Sequence, residues 1–124
     1  MYSNIDKLAL ILLGCCVFSL SHAQTVVTTR GARACSDWNA ERIEEREGRV
    51  LEAQVHQTWL VGYLSGMAAG AGVDLLSGVA NEPLFAMVDE YCRANPAANL
   101  AQAGTEVARN LVQQKQIIYL GTRP

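Results

Sequence analysis

The feature that most constrains the fold is an apolar stretch, residues 59–72, in which glycine returns at every fourth position. On a helix Gly62, Gly66 and Gly70 make one smooth stripe, and Trp59, Tyr63 and Met67 make a second stripe of large side chains beside it. Each glycine costs about 1 kcal/mol of helix propensity relative to alanine. Three on one face therefore predict the close approach of another backbone. That backbone is either another helix of the same chain or a second copy paired across a two-fold axis. The stretch reads as a central helix on which the others lie, with a Gly-rich hinge after Gly66 as the competing reading.

The chain has 124 residues, enough for one small domain. Its start reads as an export signal over residues 1–23: Lys7 is the positive region, residues 8–20 are apolar, and Ser21-His22-Ala23 ends on a small residue. Cleavage after Ala23 predicts a mature chain from Gln24 in the periplasm or outside the cell. Leu12-Leu13-Gly14-Cys15 also resembles a lipobox, which makes lipidation of Cys15 the alternative. From Trp59 the apolar run reaches only Asp74, short of the roughly 20 residues of a membrane span. With Asp6 and Lys7 removed, nine basic and eleven acidic side chains remain, a balance with no footprint for nucleic acid.

Two cysteines, Cys35 and Cys92, survive removal of the signal. An exported chain with two cysteines most simply forms one disulfide. Closing a loop of about 58 residues stabilises the fold by roughly 4 kcal/mol in the chain-entropy treatment.

The mature chain divides into a mobile leader over residues 24–34, one helical domain over residues 35–120, and a tail over residues 121–124. Ser36 is the candidate N-cap of a short, mostly solvated helix to Glu47, held to the core by Trp38 and the bridge. Glu41–Arg46 and Arg42–Glu45 are opposite-sign pairs at helical spacing. The central helix builds from Arg49, with Val50, Leu51, Val55, Trp59, Leu60, Tyr63, Leu64 and Met67 on the helical period. Asn81 is the candidate N-cap of a third helix from Glu82 to Ala94, which carries Leu84, Val88, Tyr91 and Cys92 on one face and is ended by Pro96. Asn95 or Asn99 caps the last helix, whose residues 117–120 read equally well as extended. No alternating strand pattern and no internal repeat occurs. The expected fold is all-α: a small disulfide-bridged bundle of about four helices.

Chemistry is sparse. One histidine, His56, remains, and no H-E-x-x-H, G-x-S-x-G, zinc spacing or phosphate loop is present. Glu41, Glu44, Glu45, Glu47 and Glu52 lie among arginines, as a solvated charged face does, and Glu52 is placed to meet His56 one turn on. The expectation is a protein without catalytic residues, metal or cofactor, acting by binding protein. Trp38, Trp59, Gly62, Tyr63, Gly66, Gly70 and Tyr91 are the candidate packing and contact residues, with Trp59 and Tyr63 foremost.

Three segments carry a family resemblance: Cys35-Ser36-Asp37-Trp38, Trp59-Leu60-Val61-Gly62-Tyr63 and Glu90-Tyr91-Cys92-Arg93-Ala94-Asn95-Pro96. Their layout resembles the HdeA/HdeB periplasmic acid-stress chaperones. That resemblance implies a small exported helical protein, bridged around a central Gly-Tyr helix, that binds unfolded proteins. Gly62-Tyr63-Leu64-Ser65-Gly66, with Asn95-Pro96 and the helix after it, is also similar to the Rap/Tai immunity proteins. That likeness implies a partner of another kind: one peptidoglycan amidase effector of type VI secretion, with residues 72–81 entering its cleft. A structural or accessory envelope role is the third reading. Near pH 2 the eleven carboxylates are neutral while nine Lys/Arg and His56 keep their charge, giving roughly +10. Such self-repulsion favours loosening of a homodimer and exposure of the apolar groove.

Overall fold

The computed structural model describes residues 27–121. The signal segment, Cys15, the cleavage position and residues 122–124 lie outside the described residues. Four helices follow in order: α1 (Cys35–Arg46), α2 (Leu51–Ala71), α3 (Asn81–Ala94) and α4 (Leu100–Gly121). Among the described residues there is no strand, only an isolated antiparallel bridge between Ala34 and Asn99. α1 packs on α2 and α3, and α4 closes against the same two helices from the other side. The fold is an all-α, disulfide-bonded bundle, as expected.

The core is where the periodic residues of the four helices meet. Trp38, Leu60, Leu64, Leu84, Val88, Leu100 and Val107 are fully buried, each large aliphatic worth about 1.5–3 kcal/mol. Cys35 and Cys92 are bonded to each other within it and are inaccessible to solvent. Trp38 meets Phe85 edge-on at 6.0 Å, and its indole N–H donates to Asp89 Oδ1 at 2.7 Å.

The start of α1 corrects the expected cap. Ala34, not Ser36, precedes the helix, and no side chain caps it. Its first amides donate instead to the connection after α3: Cys35 N–H to Ala98 O at 2.8 Å and Ser36 N–H to Pro96 O at 3.2 Å. The free donors of the first turn are thus satisfied from a distant segment. Arg33 O in turn accepts the Leu100 amide at 2.9 Å. The leader was read as mobile, yet residues 30–34 are tied down by these contacts and by Trp59.

Gly72 ends α2 in the left-handed conformation, φ 63°, and the Val73 amide closes back on Ala68 O at 3.0 Å. α4 opens with reciprocal capping. Asn99 Oδ1 accepts the Ala101 and Gln102 amides, and Gln102 Oε1 accepts the Asn99 amide. The backbone of α4 stays helical to Gly121, so residues 117–120 are not extended.

Candidate functional site

The Gly stripe is where the structure departs furthest from the sequence reading. A Cβ built on Gly62, Gly66 or Gly70 meets nothing within 4 Å, and all three glycines are exposed. Among the described residues no other helix lies on them. The close approach occurs at Gly104 instead, where a Cβ would stand 2.9 Å from the Tyr63 ring. A glycine in the middle of α4 at a cost of about 1 kcal/mol was the available signal.

The stripe is the middle of a longer open face. Leu51 and Val55 were placed in the core by their period, but they are 68% and 56% exposed, and Val73 is 43% exposed. Val50 and, on α1, Ile43 are also exposed. The physical reason is that α2 is apolar nearly all round, so periodicity cannot say which side the bundle covers. Val55 and Ala71 stand about 24 Å apart along the helix, and His56 is the only titratable side chain between Val55 and Val73 apart from Tyr63. Thr58 and Ser65 donate their hydroxyls to the helix's own carbonyls, Gln54 O at 2.8 Å and Val61 O at 2.7 Å. The face thus offers small, apolar, uncharged surface. An open groove of about 560 Å³ runs along it between Val55, Gly62 and the leader at Thr29 and Arg30.

The foremost contact candidates are held by the monomer itself. Trp59 and Tyr63 stack at 5.2 Å. The Trp59 indole N–H donates to Arg30 O at 2.8 Å, with Gly31 pressed against the ring. Thr105 donates its own hydroxyl to Ala101 O, so the Tyr63 hydroxyl donates to Thr105 Oγ1 at 3.0 Å. Trp38 is wholly buried, while Tyr91 is half-buried on the α3–α4 flank.

Carboxylates dock α1. Arg42 is the hub: it donates to Asp89 at 3.1 Å and Glu82 at 2.7 Å on α3, and it pairs with Glu45 on its own helix. Its guanidinium also lies 5.9 Å from the Trp38 ring and 5.8 Å from the Phe85 ring, within cation–π range. Burial works against the charge on Arg42, but Glu82, Asp89 and Glu45 outweigh it and hold the pKa above its ordinary value. On the α2 side, Gln57 donates to Glu45 at 3.0 Å, and buried Glu41 meets His56 Nδ1 at 2.7 Å. The Arg42–Glu45 pair matches expectation. Glu41 turns to His56 and Arg33 rather than Arg46, so His56 meets Glu41 rather than Glu52.

The α2–α3 connection is braced. Lys115 donates to Asp74 O and to Ser77 O, Asp74 Oδ1 accepts the Ser77 amide at 3.0 Å, and Leu75 is buried beneath. Among the described residues no group of three His, Cys, Asp or Glu side chains could hold a metal, and no helix is long and apolar enough to cross a membrane. No family model, curated protein or solved structure matches the chain.

Proposed function

We propose that this is an exported, non-enzymatic protein-binding protein of the acid-stress chaperone type, which holds unfolded clients on the outer face of α2. The observation that carries the reading is the open face from Val55 to Val73, apolar and without Asp, Glu, Lys or Arg, in a domain whose other large side chains are mostly buried. A contiguous patch of that kind marks an interaction surface.

The docking of α1 supplies the acid response. In strong acid the carboxylates on Arg42 become neutral while the guanidinium keeps its charge. Its side chain is only 12% exposed, so a cation is left without counter-charge among Trp38, Phe85 and α3. α1 then loosens, and the Cys35–Cys92 bond keeps its first turn attached to α3. The test follows the mass of the oxidised protein in solution from neutral pH to about pH 2, with an acid-labile aggregating protein in a parallel tube. Acid-triggered loosening or dissociation with suppressed aggregation is expected. A protein that keeps its mass and protects nothing defeats the reading.

The braced loop over residues 72–80 favours a second reading, that of an immunity protein. Lys115, Asp74 and buried Leu75 fix the loop in one shape, which suits insertion into the cleft of one exported hydrolase at neutral pH. Recovery of a single peptidoglycan amidase at neutral pH, lost on Lys115→Ala, would decide for it.

A further inference from the structure

Apart from the α2 face, the flank where α3 meets α4 carries a long groove of mixed polar and apolar lining, which Tyr63 of α2 and the leader border at one end. Two depressions of about 590 and 780 Å³ join at Tyr91 and Glu106. The chain contains thirteen Asn and Gln residues. Six of them line this groove: Asn95, Asn99, Gln102, Asn110, Gln113 and Gln114. Asn99 Oδ1 and Gln102 Oε1 accept amides of the α4 cap and Asn95 Nδ2 donates to Tyr91 O, whereas Asn110, Gln113 and Gln114, unpaired among the described residues, present both the N–H donor and the C=O acceptor that a peptide unit carries.

Their spacing adds a geometric match. Gln102, Glu106, Asn110 and Gln114 recur every fourth residue of α4, a rise of about 6.0 Å per step. Rows of this kind run about 26° off the helix axis, which stretches the step to about 6.7 Å along the row. Alternate residues of an extended chain repeat at about 6.6–6.8 Å. A strand laid along the row therefore meets a polar group at each two-residue repeat, whatever its side chains are. Met87 and Tyr91 of α3 form the apolar wall opposite; Glu90 adds an acceptor for main-chain N–H groups, and Glu106, whose Oε2 pairs with Arg109, adds its other oxygen.

We infer that the α3–α4 groove binds an extended polypeptide through its main chain, with Gln102, Glu106, Asn110 and Gln114 as the hydrogen-bonding rail. A saccharide would also use amides, but it needs a flat exposed ring, and Tyr91 is half-buried. The inference goes beyond the α2 face and does not depend on that face binding anything.

Fluorescence anisotropy at neutral pH tests it on the oxidised protein, using labelled ten-residue peptides of one composition in two sequence orders. A third peptide is N-methylated at alternate amides. The two orders are expected to bind within about threefold of each other, and the methylated peptide at least about tenfold more weakly. Asn110→Leu with Gln114→Leu should weaken binding by about tenfold while the melting curve stays in place. Peptide binding at neutral pH and client protection in acid are read in separate assays, so failure here and failure of the chaperone reading are separate results. Absence of peptide binding, equal binding of the methylated peptide, full binding by the double variant, or binding of N-acetylglucosamine tetramer in place of peptide would each overturn the inference.

Discussion

Alanine at Gly66 and alanine at Gly104 should change stability in opposite directions, although both glycines sit inside long helices. Alanine is favoured over glycine by about 1 kcal/mol in a helix interior. At Gly66 the new methyl meets nothing within 4 Å, so Gly66→Ala should stabilise the protein by about 0.5–1 kcal/mol. At Gly104 the same methyl would stand 2.9 and 3.1 Å from two Tyr63 ring carbons and 3.3 Å from Leu60 Cδ1. The ring has little room to retreat, because its hydroxyl is held by Thr105 and its face is stacked on Trp59. Overpacking a pinned ring falls in the upper part of the about 1–3 kcal/mol range. Less the propensity gain, Gly104→Ala should destabilise by about 1–2 kcal/mol. The two variants then lie about 2 kcal/mol apart, or about 10 °C in melting temperature for a domain of this size. Urea unfolding of the oxidised protein at pH 7, followed by tryptophan fluorescence at two protein concentrations, measures both. A Gly66→Ala protein less stable than the wild type would show that something packs on the stripe and would refute the reasoning.

Arg42→Met strips the cation from Glu45 and Asp89. Because these carboxylates are partly exposed and Glu82 largely so, the loss should be about 2 kcal/mol rather than the larger value of a fully buried pair. The raised pKa puts deprotonation of Arg42 far above neutral, so its contribution is present at pH 7 and is lost only in strong alkali. The stability gap between the two proteins should therefore stay constant from about pH 7 to about pH 9, and a gap that closes over that range would contradict the docking role of the network. Replacing Cys35 and Cys92 together by serine should cost about 2–4 kcal/mol in the same urea assay; an unchanged midpoint would mean that the bridge does not hold the fold. Gly31→Ala should loosen the leader, since Gly31 has φ +78° and a Cβ there would touch the Trp59 indole at 3.0 Å. The readout is faster amide exchange at residues 30–34, and unchanged exchange would count against the clamp.

Much of the bundle was legible in the sequence because its signals are local. Pro96 marks a helix end, Leu84, Val88 and Cys92 share one face of α3, and two remaining cysteines leave one pairing. The candidate site was legible in composition but not in direction. The sequence located the Gly stripe, but a helix that is apolar all round hides which face the bundle takes. Leu51 and Val55 were therefore assigned inward and Gly104 was passed over. Long-range polar contacts were invisible for a different reason. Arg42 reaches Asp89 across 47 residues and Glu41 reaches His56 across 15, while sequence reasoning sees only neighbours one turn away. The α1 cap was misplaced for the same cause, since the carbonyls that satisfy it come from residues 96 and 98.

The outer face of α2 is the surface proposed to hold clients. The direct measurement compares wild-type protein with Val55→Arg and Gly66→Arg in suppressing aggregation of an acid-labile protein through a cycle to about pH 2 and back. Arginine keeps its charge throughout that cycle, and both positions are exposed, so the fold should survive with little change in melting temperature. Loss of protection in both variants, with the melting curve preserved, is the predicted result. Full protection by folded Val55→Arg and Gly66→Arg proteins would contradict the claim and move client binding away from α2.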